Sequence, residues 1–258
     1  MTGAARDYVK NRIHNDSDSW ESSGMNAIPQ RCLDCFVREK SLCSSMSDTE
    51  LSAVSAIGRR RVVPDGHVVT WAGDASSTCA NVVSGALKVT ASTADGREQI
   101  VGLLFPGDFV GQPFTQEASL TVTTLTETDM CTFPRTGFER TLDAHPRMER
   151  MLLERTMEAL NEARDRMLSL GRKNAQERVA GFLLEVAERA GSTDESGAIH
   201  MMIPISRGEM ADYLGLTIET VSRQLTKLKT AGIIVFAKGE RDCVILDRDW
   251  LDAIVNPS

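Results

Sequence analysis

The chain has 258 residues, of which 41% are hydrophobic and 25% charged, and its formal net charge is −7. This composition indicates a globular protein with one large domain or two ordinary ones. No apolar run approaches the roughly 20 residues that cross a bilayer, and no secretory signal pattern opens the chain. We therefore expect a cytoplasmic protein without a membrane segment. The acidic balance does not exclude a nucleic-acid ligand, because a local basic surface can suffice.

Six cysteines are spread unevenly along the chain, at Cys32, Cys35, Cys43, Cys79, Cys131 and Cys243. Before them, residues 1–27 are polar and Ser-rich without periodicity, and we predict a mobile tail there. The first three cysteines lie within twelve residues. Because a reduced cytosol disfavours disulfides, this clustering indicates a metal or redox site. Cys79 falls in an alternating strand pattern and is expected to be a buried small hydrophobe.

A short helix and then a series of strands are predicted after the cysteine segment. Ser47 and Glu50 have the spacing of a capping box at the start of the helical pattern in 47–57. Over residues 60–133, apolar residues alternate with small or polar ones, interrupted by Gly-containing turns. Short strands at regular spacing predict a small antiparallel barrel or roll. We expect the cysteine segment and the roll to form one domain over residues 28–145.

The pattern becomes helical at residues 146–171, where we predict one long helix that Gly171 ends. Six positions follow the 3-4-3-4-3 spacing of a coiled-coil seam: Leu153, Thr156, Leu160, Ala163, Met167 and Leu170. This seam can pack on the chain's own roll or pair with a second subunit. A single long helix with a heptad seam suits a two-fold interface, so we favour a dimerisation helix. Another amphipathic helix is predicted over residues 172–190.

Residues 206–229 have the pattern of a helix-turn-helix. Ser206 and Thr217 are suitable N-caps for its two helices. Gly215 between them can adopt the left-handed backbone of a sharp turn. Two short β runs around a Lys-Gly-Glu-Arg turn then indicate a β wing, which completes a winged helix-turn-helix domain over 172–258. Any pair of helices joined by a glycine shares part of this pattern, but the caps, the turn and the wing agree.

The first turns of the second helix present polar residues, as a helix that enters the major groove does. We expect an exposed face made of Glu219, Thr220, Ser222, Arg223 and Gln224. Arg223 can donate two hydrogen bonds to a guanine edge, and Glu219 can accept one from a base amino group. Lys227 and Lys229 lie further along the helix and suit phosphates.

The roll with its motif PGDFVG, the long helix and the segment EMADYLGLTIETVSRQLTKL together resemble the CRP/FNR superfamily of regulators. The resemblance covers nearly the whole chain from about residue 28. It implies an α+β fold: an antiparallel β-roll of the cyclic-nucleotide-binding kind, a dimerisation helix and a C-terminal winged helix-turn-helix. It also implies a homodimer that binds double-stranded DNA and acts with RNA polymerase. The pattern Glu219-x-x-Ser222-Arg223 is similar to that of FNR-like members, which implies a palindrome with TTGAT-type half-sites and Arg223 on the guanine.

The same resemblance gives the cysteines a role. FNR-like members have three N-terminal cysteines and a fourth at the end of the roll, which Cys131 in ETDMCTFP matches. The implied cofactor is an oxygen-labile 4Fe-4S cluster on Cys32, Cys35, Cys43 and Cys131, and the implied function is oxygen sensing. Zinc on the same thiolates, or a set of cysteines that binds nothing, stays open.

Three further expectations accompany the resemblance. Leu33, Phe36 and Leu42 flank the ligands and are candidates for shielding a cluster, although ordinary packing would also explain them. A cyclic nucleotide is not expected, because residues 111–124 hold no arginine to meet its phosphate. Ala163 stands where the best-known FNR branch has an aspartate that opposes pairing. The dimer is therefore expected to persist without the cluster.

Alternatives from other classes of protein are weaker. One is a regulator of the same family without a cluster, either constitutive or controlled by thiol oxidation. Another is an iron–sulfur or zinc enzyme, but the four histidines are scattered and no nucleophile motif accompanies them. A protein that only binds other proteins is disfavoured by the polar face at 219–224. We expect a DNA-binding regulator rather than an enzyme.

Overall fold

The computed structural model describes residues 28–256 apart from Lys238 and Glu240, so the tail predicted at 1–27 lies outside the described residues. The α-helices are α1 (Gln30–Leu33), α2 (Asp48–Ile57), α3 (Arg135–Ala144), α4 (Pro146–Arg172), α5 (Ala175–Ala190), α6 (Arg207–Leu214), α7 (Ile218–Thr230) and α8 (Arg248–Val255). The β-strands are β1 (Arg59–Val63), β2 (Val68–Thr70), β3 (Thr78–Ser84), β4 (Leu87–Ser92), β5 (Glu98–Leu104), β6 (Phe109–Val110), β7 (Thr121–Thr124), β8 (Thr128–Pro134), β9 (Ser192–Thr193), β10 (Ile199–Met202), β11 (Ile234–Phe236) and β12 (Asp242–Ile245). None of the described helices is long and apolar enough to span a membrane.

Strands β1 to β8 form the predicted roll. They make two antiparallel four-stranded sheets, in the orders β1-β8-β3-β6 and β2-β7-β4-β5. Because successive side chains of a strand point to opposite faces, every second residue can enter the space between the sheets. That interior is apolar and consists of Val63, Ala80, Val82, Leu87, Val110, Val122 and Met130. The predicted α+β class with an N-terminal roll is confirmed.

The chain passes from one sheet of the roll to the other at a glycine. Gly85, between β3 and β4, has a φ of 88°, which favours glycine because it lacks a Cβ. A Cβ there would lie 2.5 Å from the carbonyl oxygen of Glu127. The predicted turn at this position therefore depends on glycine for two reasons, its backbone angle and its close approach to the start of β8.

The outer face of the β1-β8-β3-β6 sheet supports the N-terminal segment. α2, α3 and the start of α4 pack there around a second core, made of Leu42, Met46, Leu51, Val54, Cys79, Phe133, Phe138, Leu142 and Met148. Ser47 caps α2 in a capping box with Glu50, as predicted. Cys79 is fully buried, which confirms its prediction as a small hydrophobe. Residues 28–46 thus lie against a packed surface of the roll.

The long helix α4 extends slightly further than the sequence predicted. The prediction that Gly171 ends it is wrong, because α4 continues through Gly171 to Arg172. A glycine inside a helix costs only about 1 kcal/mol. Arg178 also satisfies the last turn, since its guanidinium donates to the carbonyls of Leu170 and Lys173 at 2.7 and 2.9 Å. This arginine therefore stabilises the C-terminal end of the helix.

The C-terminal domain has more strands than the wing alone. The sequence predicted β11 and β12, but β10 and β9 extend them to a four-stranded sheet in the order β11-β12-β10-β9. α5 begins at Ala175 rather than at residue 172, because Asn174 caps it in a capping box. Its predicted inward residues Val179, Phe182, Leu183 and Val186 are all buried. The sequence analysis missed α8, which packs on α5.

The roll and the C-terminal domain contact each other directly. Ile100, Leu103 and Phe105 of the roll share a hydrophobic core with α5 and α6. An ion pair joins Lys88 Nζ of β4 to Glu209 Oε1 of α6 at 2.7 Å, with both side chains three-quarters buried. The roll and the C-terminal domain are therefore joined by apolar packing as well as by an ion pair.

Candidate metal centre and nucleic-acid interface

Two short helical turns place the N-terminal cysteines on the roll. Cys32 lies in α1, and Cys43 lies in the 3-10 turn Leu42–Ser45. The Ser41 hydroxyl accepts a hydrogen bond from the Cys43 N–H at 3.2 Å and so caps that turn. The Arg31 guanidinium donates to backbone carbonyls at the end of α2. The segment is held to the roll on both sides of its cysteines.

All four predicted ligands line one cavity. Cys32, Cys35 and Cys43 come from the N-terminal segment, and Cys131 comes from β8 in the middle of the sheet. Each of the four is a free, partly exposed thiol. Cys243 lies instead in the core of the C-terminal domain, far from this cavity in the fold. The structure thus brings together the four cysteines that the resemblance selects.

Burial keeps two of these thiols protonated in the metal-free protein. Desolvation raises the pKa of Cys43 to about 11, although a hydrogen bond from Ser41 opposes the shift. Desolvation also raises the pKa of Cys131 to about 12, with a further contribution from the neighbouring Cys43. Metal binding requires thiolates, so it would release protons here. Thiols with a raised pKa are also poor targets for direct oxidation.

The residues around the cavity fit an anionic metal cluster. Arg31, Arg38 and Arg60 line it together with the cysteines, and their positive charge favours thiolates. Among the described residues, no three His, Cys, Asp or Glu side chains are gathered closely enough to hold a single metal ion. Each thiolate of a 4Fe-4S cluster binds a different iron, so its ligands lie further apart. Four cysteines around one cavity, with three arginines in its lining, thus supply donors and charge that fit an anionic metal cluster.

The predicted shielding residues divide into two groups. Leu42 is 3% exposed and packs beneath Cys43, whereas Leu33 and Phe36 are 49% and 70% exposed. The prediction that Leu33 and Phe36 shield the site is wrong for the single chain, because both side chains point into solvent. Val37 lines the cavity instead and is 2% exposed. Nothing in the sequence distinguished it, because one apolar residue in an irregular segment has no periodicity.

The helix-turn-helix is built as its sequence predicted. Ser206 caps α6 in a capping box with Glu209. Gly215 follows α6 with φ 60° and ψ 43°, the left-handed conformation expected at this turn. The Thr217 hydroxyl then accepts from the Thr220 N–H at 3.2 Å and caps α7. Val221, Leu225 and Leu228 fix α7 to the core.

The outer face of α7 is polar and open. Glu219, Arg223 and Lys227 are exposed, as is Lys229, and Thr220 and Ser222 are half-buried. A shallow groove runs beside this face, lined by Ser222, Arg223, Thr226, Lys227, Thr230 and Ala231. Gln224 does not belong to the face: it is 7% exposed, so that part of the prediction is wrong. It lies three residues after the buried Val221 and four before the buried Leu228, so it shares their face of the helix.

The predicted seam of α4 is exposed along its length. Leu153, Leu160 and Met167 are 60%, 40% and 63% exposed, and Thr156 and Ala163 are exposed between them. Leu170 is half-buried against the turn at Gly215. The seam therefore does not pack on the chain's own roll. A helix with such an apolar stripe in solvent indicates a partner surface.

The roll also has an interior cavity, lined by residues of both of its sheets. Its lining includes Gln112, Ala118, Leu120 and Val122, which belong to the arginine-free stretch 111–124. Arg61 on β1 is the one Lys or Arg residue in that lining. The cavity carries little positive charge for a phosphate.

A β-roll, a long helix with an exposed apolar seam and a winged helix-turn-helix with an open polar face define a DNA-binding transcription regulator. Comparisons with known proteins agree with this class. A family model described as a Crp-like helix-turn-helix domain matches residues 177–254, and one described as a cyclic nucleotide-binding domain matches residues 60–145.

Known relatives cover most of the chain. The transcriptional activator protein FnrL of Cereibacter sphaeroides is 40% identical over 223 residues, which are 85% of this chain and 90% of FnrL. The nitrogen fixation regulation protein FixK of Bradyrhizobium diazoefficiens is 37% identical over 81% of this chain and 87% of its own. The solved structure of FixK2 from Bradyrhizobium japonicum matches with a TM-score of 0.71 and 32% identity, over 78% of this chain and 99% of that one.

The chain belongs to the CRP/FNR family of transcription regulators. Regulators of this family bind DNA through the helix-turn-helix and act as dimers. The relatives carry the names of transcription regulators, which confirms the prediction that the protein is not an enzyme.

Proposed function

We propose that this regulator senses oxygen through a 4Fe-4S cluster held by Cys32, Cys35, Cys43 and Cys131. The observation that carries the proposal is that these four cysteines, and none of the other two, line one cavity. When bound, such a cluster supplies the oxygen-reactive group. The similarity to the transcriptional activator FnrL supports the coarser assignment as a transcription activator of this family. No cyclic nucleotide is required, in keeping with the single basic residue in the lining of the roll cavity.

The chain's own part in sensing is to couple the cysteine ligands to the rest of the fold. Ligation at Cys43 would hold the turn Leu42–Ser45, which lies against the long helix α4. The Arg155 guanidinium of α4 also donates to the Lys40 carbonyl at 3.4 Å. Loss of ligation would free the segment from this position and change the support of α4. We expect the position of the DNA-reading domains to respond.

The second part of the proposal concerns how two copies of the chain pair and which DNA sequence they bind. We propose that two copies pair along Leu153, Thr156, Leu160, Ala163, Met167 and Leu170. Each large apolar side chain removed from water contributes about 1.5–3 kcal/mol before ordering costs. The dimer would bind a palindrome with TTGAT-type half-sites, with Arg223 on the guanine, and act with RNA polymerase in the cytoplasm. The exposed seam and the open face of α7 support this assignment.

Iron and sulfide analysis of anaerobically isolated protein tests the cluster. We expect about four irons and about four sulfides per chain, with a brownish colour that oxygen removes. Cys131→Ser should abolish the cluster. Cys243→Ala is the matched control, because it removes a cysteine from the other domain and should leave the cluster intact. One zinc per chain, no metal, or a full cluster in Cys131→Ser would each contradict the proposal.

The competing regulator without a cluster makes a different prediction. Its cysteines would respond to oxidants directly. Desolvation raises the pKa of Cys43 and of Cys131, which disfavours direct oxidation at these two cysteines. DNA binding by metal-free protein that switches on and off with a thiol oxidant and a reductant would favour it.

A further inference from the structure

A buried asparagine lines the cysteine cavity. Asn81 is in the middle of β3 and is 4% exposed. In the register of the sheet, Cys131 lies directly between Asn81 on one side and Arg60 on the other. Asn81 is thus the cross-strand neighbour of one predicted ligand.

The side chain of Asn81 also contacts a second predicted ligand. Its Nδ2 donates a hydrogen bond to Cys43 Sγ, with a donor–acceptor distance of 3.6 Å. Its Oδ1 is buried and has no hydrogen-bond partner among the described residues. One amide therefore lies next to a cysteine of the N-terminal segment and a cysteine of the roll.

The roll itself does not require an amide at this position. Cys79 and Val83, two residues before and after on the same face of β3, are buried apolar residues. A buried amide oxygen without a donor is destabilising, so an apolar residue at position 81 would make the roll more stable. The amide points into the cavity that the cysteines share. This placement favours a role toward the ligand of that cavity.

We propose that Asn81 is a positioning residue for the cluster, an inference that rests on the proposed function. Its amide N–H groups donate to the Cys43 sulfur and to acceptors at the centre of the cavity. This holds the Cys43 side chain toward Cys131 and offsets the negative charge of the thiolates. The amide thus connects a ligand of the N-terminal segment to the sheet of the roll.

Asn81→Leu tests this role, because leucine has the same branching at Cγ and no donor, although it is the larger residue. The measurement is the rate at which a ferrous-iron chelator removes iron from the cluster-loaded protein without oxygen. We expect release faster by on the order of ten-fold, since outer-shell partners typically affect metal affinity by that factor or more. Iron and sulfide content and visible absorption are compared at equal protein concentration. Asn81→Asp, which faces the thiolates with a carboxylate, should retain still less iron.

A matched control separates this role from general loss of stability. Thr128→Val also removes a buried hydrogen bond from the same sheet, made by Thr128 Oγ1 to the Thr126 carbonyl at 2.8 Å, but it does not line the cavity. We expect Thr128→Val to release iron at the wild-type rate. Thermal unfolding of the cluster-free variants shows that each is folded. If Asn81→Leu does not fold, Asn81→Val replaces it with a smaller residue that favours strands.

The outcomes distinguish this inference from the proposed function. Wild-type iron release and iron content in folded Asn81→Leu or Asn81→Val would overturn the role of Asn81 and leave the cluster proposal standing. Faster release in Thr128→Val as well would also overturn it, since the effect would then follow stability alone. Wild-type protein without iron and sulfide would overturn both.

Discussion

The DNA-reading unit and the cysteine cavity differ in how far apart along the chain their parts lie. The caps, the turn and the polar face of the reading unit fall within the continuous segment 206–229. The cavity combines the segment 28–46 with β1, β3 and β8, which meet only in the folded roll. Local sequence patterns therefore suffice to predict the DNA-reading unit. The cysteine cavity, in contrast, forms only when distant segments pack together.

The two regions also differ in whether their side chains must change protonation before they can bind a ligand. Arg223 and Lys227 are exposed and charged in the single chain, so they can contact DNA without rearrangement. Cys43 and Cys131 are half-buried thiols with raised pKa values, and they must lose protons to bind metal. The exposed face of α7 is thus formed in advance, whereas metal binding in the cysteine cavity would first require deprotonation.

The largest effect is expected at the helix that lies between the two regions. Ala163→Asp places two like charges within a few ångströms across the seam, where they repel by about 2–4 kcal/mol at an effective dielectric constant of about 20. Sedimentation equilibrium of cluster-free protein at micromolar concentration should show a dimer for the wild type and weaker association for the variant.

Asn161→Asp is the control for this change. It adds the same charge on an exposed position of α4 outside the seam and should leave association unchanged. A wild-type protein that is monomeric without the cluster would contradict the expected pairing. In that case the sensing region, rather than α4 alone, would decide assembly.

Arg223→Ala tests whether the exposed side chain of Arg223 contacts the guanine of the half-site. We expect a loss of about 1–3 kcal/mol in binding to a TTGAT-type palindrome, together with a weaker preference for its guanine. Lys227→Ala should weaken binding to all sequences equally and flatten the dependence on salt. Fluorescence anisotropy with matched and guanine-substituted duplexes measures both. An intact guanine preference in Arg223→Ala would show that another residue contacts this base.

Gly215→Ala tests whether local rules are sufficient for the turn. A left-handed φ costs a residue with a Cβ about 1–2 kcal/mol, and the new Cβ would lie 3.3 Å from Leu170 Cδ2. We expect the free energy of unfolding to fall by that amount. Gly208→Ala in α6 makes only ordinary contacts, at 3.7 Å or more. It should leave stability unchanged or raise it by about 0.4–1 kcal/mol. Equal effects of the two substitutions would argue against the special role of the turn.

The smallest effect is expected where the roll contacts the reading unit. Burial alone would raise the pKa of Glu209, but hydrogen bonds from Lys88 and Ser206 outweigh it and hold the pKa below its usual value. This stabilisation is present above the pKa of the unfolded state and is lost as the pH falls through the folded-state value. Lys88→Met should lower stability by about 0.5–1 kcal/mol at neutral pH. It should have a smaller effect below about pH 4, as denaturant unfolding at the two pH values would show.

The sequence alone determined the elements whose causes are local. The capping boxes of Ser47 and Ser206, the left-handed Gly215 and the seam of α4 each depend on residues within a few turns of each other. The alternating pattern of residues 60–133 likewise predicted the roll, because one face of each strand must be apolar to be buried. These features follow from backbone geometry and side-chain periodicity, which a linear sequence records.

Only the tertiary structure decided the contacts between secondary-structure elements that are distant in the sequence. Nothing near Asn81 in the sequence indicates that its amide meets Cys43, because that contact depends on how the segment folds back over β3. In the same way, Arg178 stabilises the end of α4 through hydrogen bonds from the next helix, although Gly171 suggested an earlier end. The positions of Leu33 and Phe36 in solvent depend on the same packing. Contacts between distant parts of a chain have no local pattern, so they are fixed only when the core assembles.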